Sequence, residues 1–422
     1  MKKRFSISKA LLTISLMLTT CLSTLAYDFE YNGIYYNVIN TTDLHVEVTY
    51  KSYYEAGGYA INDYSGDIVI PNDVPFNKET YTVTAIGYSA FENSKYLNSV
   101  EMPNSVIRIE DEAFGICYNL KSVKLSDSLE TIGRSAFYQC ENLKSISIPK
   151  SVKTIREHAF SVCRNLEDVN ITDLSAWCKI DFEYYPANPL CYAKSLKLNG
   201  VEITDLVIPN NVKRIKPYSF PLYRALKSVT MHDAVTEIGD YAFYSCYNLA
   251  NITINEGVKK IGDYAFYNCN NLKSIIIPNT VGIIGEYAFD GCNQLRTLVL
   301  GSYVYLIGQY AFDTDGPLES ITSLNVEPPM CSYPGAFSSL STQSWNVTLK
   351  VPEGAKEAYA NADEWCNFTN IQEIAGVEDI EVDNNAVEVI RYDIYGRKLT
   401  EPTTGINIIK MSDGTTRKVI VR

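Results

Sequence analysis

The pair Ala-Phe returns every 23 residues through most of this 422-residue chain, and a fixed period of that length calls for a stack of equivalent coils. The phenylalanines are Phe91, Phe114, Phe137 and Phe160, then Phe220, Phe243, Phe266, Phe289 and Phe312. Phe337 follows at a spacing of 25, and Ser219 replaces the alanine once. The unit reads L-x-x-[VI]-x-[IL]-P-x-x-V-x-x-I-G-x-x-A-F-x-x-C-x-x, as in Leu272, Ile275, Ile277, Pro278, Val281, Ile284, Gly285, Ala288, Phe289 and Cys292. Its leading apolar residue steps by 23 from Leu97 to Leu318, except for one step of 37 from Leu166 to Ile203. One coil therefore carries a 14-residue insertion.

Within the unit, Val/Ile and Ile/Leu alternate with polar residues, and a second apolar pair follows the proline, which predicts two short strands per coil. The glycine before Ala-Phe is expected to turn the chain, and Ala-Phe to sit on a single helical or 3₁₀ turn that drops the ring inward. A lone coil cannot bury that ring. Parallel stacking places each Phe over the next, so the fold expected is a repeat solenoid of parallel strands and short helical turns, with atypical ends.

The ends follow from composition. Residues 1–26 read as an export signal: Lys2, Lys3 and Arg4, an apolar run from Ala10 to Leu25, and small residues Thr24 and Ala26 before the cut. Leu18-Thr19-Thr20-Cys21 is an imperfect lipoprotein box, which leaves a lipid anchor open. Residues 27–80, rich in tyrosine and alternating apolar residues, are expected to form a β cap over the first coil edge. The solenoid spans 81–375, ending in a strand at Val347, Leu349 and Val351 and a short amphipathic helix from Lys356 to Trp365. An acidic linker, 376–385, leads to a small antiparallel β-module, 386–422, with turns at Tyr395-Gly396-Arg397 and Asp413-Gly414.

The net charge is −12, and −16 once the four basic residues of the signal are removed, so nucleic acid is an unexpected partner. Six of the eleven cysteines share one rung, three residues after the Phe: Cys117, Cys140, Cys163, Cys246, Cys269 and Cys292. In-register coils roughly 4.8 Å apart match disulfide geometry poorly, so buried packing thiols are expected rather than bridges or a metal site. Cys178, Cys191, Cys331 and Cys366 stand off the ladder, and a Cys178–Cys191 bridge across the insertion remains open.

Signals for catalysis are scarce. The three histidines, His45, His158 and His232, are far apart in sequence, and no triad, zinc-protease or phosphate-loop motif is present. Asp313-x-Asp315-Gly316 imitates the start of a calcium loop without its later ligands, which predicts a solvated turn. No enzyme activity, cofactor or metal is expected.

Surface ladders carry more. Two residues after each lead come Ser99, Ser122, Ser145, Asp168, Ser228, Asn251, Ser274, Thr297 and Ser320, an outward, small and polar row. Beside it run Lys121, Lys144, Lys227, Lys273 and Arg296, a basic stripe that could meet acidic proteins or glycans, or serve only to keep strand edges soluble. Just before the Ala of the later coils stand Tyr218, Tyr241, Tyr264, Tyr287 and Tyr310. They form a strip able to stack on sugar rings or anchor a partner protein, or one whose rings stack on each other and bind nothing.

The phrases Ile261-Gly262-Asp263-Tyr264-Ala265-Phe266-Tyr267-Asn268-Cys269 and Leu143-Lys144-Ser145-Ile146-Ser147-Ile148-Pro149 closely resemble the BspA-like leucine-rich repeats of bacterial surface proteins, over about Tyr81 to Ile374. Ala176-Trp177-Cys178, Asn188-Pro189-Leu190 and Leu198-Asn199-Gly200 resemble a variant coil of that family, and the tail from Tyr392 resembles sorting modules of the type IX export system. The resemblance implies a cell-surface or secreted adhesin that binds host matrix or plasma proteins or other cells. The alternative is a glycan-binding surface protein of a nutrient-capture system.

Overall fold

The computed structural model describes residues 26–54, 59–314, 316–333, 335–337, 347–374, 388–393, 398–402, 405–411 and 416–421. Residues 1–25 of the expected signal, Cys21 among them, the 376–385 linker, Asp315 and the turns at 394–397 and 412–415 lie outside them. The chain divides into two compact units between Glu167 and Asp168.

In the first unit, strands pair in parallel one coil apart. Ala85–Ile86 pairs with Arg108–Ile109, that with Thr131–Ile132, and that with Thr154–Ile155. A second row joins Ser65–Val69 to Tyr96–Glu101 and on to Ser122–Lys124. Alternation turns Val100, Ile109, Ile132 and Ile155 inward, each at most 1% exposed. The parallel pairing already begins inside the expected cap, where His45–Thr49 runs alongside Glu79–Ile86. Antiparallel pairs complete the cover: Phe29–Tyr31 with Ile34–Asn40, the latter with His45–Thr49, Ser52–Tyr54 with Tyr59–Ile61, and Asp73–Phe76 with Glu79–Ile86.

The rings of Phe91, Phe114, Phe137 and Phe160 stack at 4.9, 5.0 and 5.2 Å between centroids, with planes within 9° of parallel. Strand spacing sets this distance. Tyr64 closes the column 4.6 Å from Phe91, and its buried hydroxyl donates to the Thr49 carbonyl while accepting the Tyr35 N–H.

The second unit repeats the scheme. Arg214–Ile215, Glu237–Ile238, Lys260–Ile261, Ile283–Ile284, Leu306–Ile307 and Met330–Cys331 form one parallel row. On another face, Ser274–Ile276, Thr297–Leu300, Ser320–Ser323, Thr348–Pro352 and Asn370–Ile374 run parallel, so the stack extends one strand beyond the one expected at Val347 to Val351. Phe220, Phe243, Phe266, Phe289, Phe312 and Phe337 stack at 5.1 to 5.6 Å, and Trp365 and Phe368 meet Phe337 edge-on to end the column. The tail strands Lys398–Leu399, Glu388–Asp393, Gly405–Met411 and Thr416–Val421 form the expected antiparallel sheet, in that order.

The Ala-Phe segment departs from the expectation. It is a turn with i to i+3 bonds, such as Ala136 N–H to the Gly133 carbonyl, rather than a helix. Its strongest ties run between coils: the Phe N–H donates to the Ala carbonyl one coil on, at 2.7 Å for Phe114 to Ala136 and 2.8 Å for Phe266 to Ala288. Nor does the preceding glycine turn the chain. The left-handed residues are the ones just before Ala, among them Ser135 at φ 52°, Tyr241 at 56° and Tyr264 at 55°. Gly133, Gly239, Gly262, Gly285 and Gly308 are required for closeness instead, because a Cβ on Gly133 would lie 2.5 Å from the Glu110 backbone and one on Gly308 2.5 Å from the Glu286 nitrogen.

At the insertion, Trp177 and Asn188 take over the bond between coils. Pro189 has no N–H to give, and Trp177 Nε1 and Asn188 Nδ2 both donate to the Ser219 carbonyl at 3.1 Å. Asn188 Nδ2 also reaches the Tyr218 carbonyl at 2.8 Å. Cys178 is a buried free thiol, not half of a bridge to Cys191.

The C-terminal end has a matching device. Phe337 has no further Ala carbonyl to meet, and its N–H donates to Glu364 Oε1 at 2.9 Å. Burial raises this carboxyl above its ordinary 4.5, opposed by the backbone N–H groups it accepts. Glu364→Ala should cost about 1–3 kcal/mol by orphaning a buried donor, whereas Glu364→Gln keeps an acceptor. A raised carboxyl pKa favours folding below the unfolded value, and that contribution is lost as pH rises through the folded one. The Gln variant should therefore equal or exceed the native chain in urea unfolding at pH 7 and lose that advantage toward pH 4. A Gln variant as weak as the Ala variant at pH 7 would contradict this role.

Candidate binding surfaces

The turn that buries each Phe throws the residue two before it outward, and in the second unit that residue is tyrosine. Tyr218, Tyr241, Tyr264 and Tyr287 stack in sequence at 5.1, 4.6 and 4.7 Å, and Tyr310 continues at 5.1 Å with a 38° tilt. All five are half-buried. The structure thus brings together every expected residue of the strip, but the ring faces are filled by neighbouring rings. What the strip presents is ring edges and hydroxyls, so a sugar ring finds no open face between its members.

A second column was not foreseen. Tyr244 and Tyr267, one residue after Phe243 and Phe266, stack at 5.1 Å and lean on Tyr241 and Tyr264 at 5.6 and 5.5 Å. Their own spacing of 23 was the available signal. Burial, and after it neighbouring tyrosines and acids such as Glu286 and Asp290, raise the hydroxyl pKa values of Tyr264, Tyr267 and Tyr287 above 10. These hydroxyls stay neutral at ordinary pH. Asp240 and Asp263, just before two of the tyrosines, accept the N–H of Asp263 and Glu286 one coil on.

The basic residues are exposed as expected: Lys121 and Lys144 on the first unit, Lys227, Lys273 and Arg296 on the second. On the second unit Ala250 stands between Lys227 and Lys273, and Arg296 pairs with Glu319. The row is therefore interrupted. Exposed cross-coil pairs such as Lys153–Glu130 are worth little energetically.

The cysteine rung is structural. All six thiols are fully buried, and each donates to the carbonyl of the Phe in the preceding coil, as Cys117 does to Phe91 at 3.0 Å and Cys246 to Phe220 at 3.1 Å. Burial pushes Cys117, Cys163 and Cys246 up to about 12, which keeps them protonated and unreactive. Another rung was missed: Asn119, Asn165 and Asn248, each before a lead Leu, donate their side-chain amides to carbonyls 24 residues back. Of the histidines, His158 Nδ1 lies 3.2 Å from Ser161 Oγ in a local turn, and His232 Nε2 lies 3.0 Å from the Pro209 carbonyl one coil back.

Parallel coils of 23 residues with a leucine at each lead and a shared aromatic core define a leucine-rich repeat solenoid. The chain belongs to the BspA-type leucine-rich repeat family, whose model matches residues 77–183 and 196–319, six copies in all and more than half of the sequence. Solved structures similar to it include a leucine rich cell surface protein from Faecalibacterium prausnitzii at 24% identity, covering 70% of this chain and 94% of that one, TM-score 0.35. A leucine-rich repeat protein from Bacteroides ovatus is 22% identical over 83% of this chain and 100% of that one, TM-score 0.35. The pneumococcal vaccine antigen PcpA is 18% identical over 84% of this chain and 99% of that one, TM-score 0.49. No curated protein matches the chain.

Proposed function

We propose that this protein is an exported, non-enzymatic binding protein of the cell surface or surrounding medium, an adhesin that holds host matrix or plasma proteins or other cells. One observation carries the reading. The coils spend their repeated geometry on an inward column and leave outward rows of small polar and basic side chains, joined in the second unit by the edges of the tyrosine strip, a surface suited to extended contact. Membership of a family found on surface proteins and the apolar N-terminal segment of the sequence support export. The antiparallel tail sheet is assigned to sorting, and deletion of Gly405 to Arg422 is expected to leave the protein in the periplasm.

The test is binding of the purified chain to immobilised basement-membrane matrix and serum proteins by surface plasmon resonance. Saturable binding weakened about tenfold or more by Lys227→Glu with Lys273→Glu, or by Tyr264→Ala with Tyr287→Ala, is the expected result. Absence of saturable binding to matrix, serum proteins and whole cells alike would overturn the adhesin reading.

A further inference from the structure

The repeat pattern breaks at one place on the second unit. The position before the inward Val is Asn211, Ala234, Gly257 and Thr280 in successive coils, and then Tyr303. The position after that Val is Lys213, Thr236, Lys259 and Gly282, and then Tyr305. Small or charged surface residues give way to two aromatics that packing does not require, since Tyr303 is 65% and Tyr305 53% exposed. Exposed rings at such a site call for an explanation outside the fold.

The arrangement around them is a groove of about 400 Å³, with Glu327, Pro328, Pro329 and Met330 on the following coil as its other wall. Tyr305 lies against Gly282, where a Cβ would come within 2.6 Å of Cε1, so the preceding coil is cut back to seat this ring. Tyr303 stands across it, with centroids 6.2 Å apart and planes at 88°. Unlike the tyrosine ladder, no parallel neighbour covers these rings among the described residues. Neither the two hydroxyls nor the Glu327 carboxylate has a hydrogen-bond partner in the protein among the described residues.

We infer that this groove is a binding site for a neutral carbohydrate. A pyranose lays its C–H face on an aromatic ring and offers hydroxyls as donors to a carboxylate and partners to tyrosine hydroxyls, which suits both kinds of group present here. A proline-rich peptide would cover the rings but bring few N–H groups to Glu327, leaving its carboxylate unpaired. An acidic sugar would meet Glu327 on a chain of net charge −12.

The purified chain would be screened on a panel of neutral plant, microbial and host glycans, with the best neutral tetrasaccharide, tetragalacturonic acid and decaproline then titrated by calorimetry. Tyr303→Thr with Tyr305→Lys installs residues that earlier coils already carry at these positions, so the variant keeps its fold, which circular dichroism would verify. Saturable binding of a neutral sugar, weakened at least tenfold by that double variant and weakened by Glu327→Gln, is the expected result. Failure of every neutral glycan, sugar binding that survives the double variant, or binding of decaproline or tetragalacturonic acid in place of the neutral sugar would each overturn the assignment.

Discussion

Phe266→Ala is expected to lower stability by about 3–5 kcal/mol, the cost of removing a buried ring plus that of the cavity left behind. The size follows from its surroundings. Phe266 is fully buried between Phe243 at 5.3 Å and Phe289 at 5.1 Å, and both neighbours are themselves pinned by inter-coil bonds from their own N–H groups. The backbone spacing of the coils cannot shrink to fill the gap, since strand pairing fixes it. Urea unfolding would measure the loss, and hydrogen exchange should place it first in the coils on either side, because each coil depends on its nearest neighbours. A loss below about 1 kcal/mol would mean that the ring column contributes little.

Gly262→Ala is expected to cost about 3 kcal/mol or more, although it adds a single methyl group. The new Cβ would lie 2.3 Å from Asp240 Oδ1, 2.6 Å from the Asp240 nitrogen and 2.7 Å from the Gly239 carbonyl carbon. Asp240 cannot swing aside freely, because the same oxygen accepts the Asp263 N–H. Relief therefore requires the coils to part, beyond the usual 1–3 kcal/mol of overpacking. Tyr264→Gly makes the contrast. It abolishes a left-handed tyrosine, a strain of roughly 1–2 kcal/mol, while losing three ring contacts, to Tyr241, Tyr267 and Tyr287, worth about 0.5–1.5 kcal/mol each. The strain relief offsets part of that loss, so thermal melts should rank Tyr264→Gly as the less destabilised of the two variants. Equal losses would reverse the assignment of which residue carries the turn and which the close approach.

That contrast also marks how far the sequence could be read. The period exposed the column of Phe266 and its equivalents, the insertion before Ile203 and the cysteine rung, because burial repeats wherever geometry repeats. It misassigned Gly262, since a glycine needed for a positive φ and one needed for a tight approach look alike in a single chain. The left-handed site was instead occupied by Tyr264, a residue with no preference for it, held there by the inter-coil bond from its N–H to Glu286. Glu364 was invisible for another reason: its role depends on where the last coil ends in space, 27 residues from Phe337 along the chain. Tyr303 and Tyr305 were legible as departures from the repeat, but their meaning required the groove wall supplied by Glu327 to Met330.

The bonds joining Phe243 to Ala265, Phe266 to Ala288 and Phe289 to Ala311 are the same bond made three times. A gene that gained or lost one such module of 23 codons would leave both faces of the new joint complementary, so length can drift by whole windings while the mould of each stays fixed. The lids, Tyr64 on the column of the first unit and Trp365 with Glu364 on that of the second, have no such freedom: each fits one partner, and a chain severed within a column would expose a raw face that its lid cannot cover.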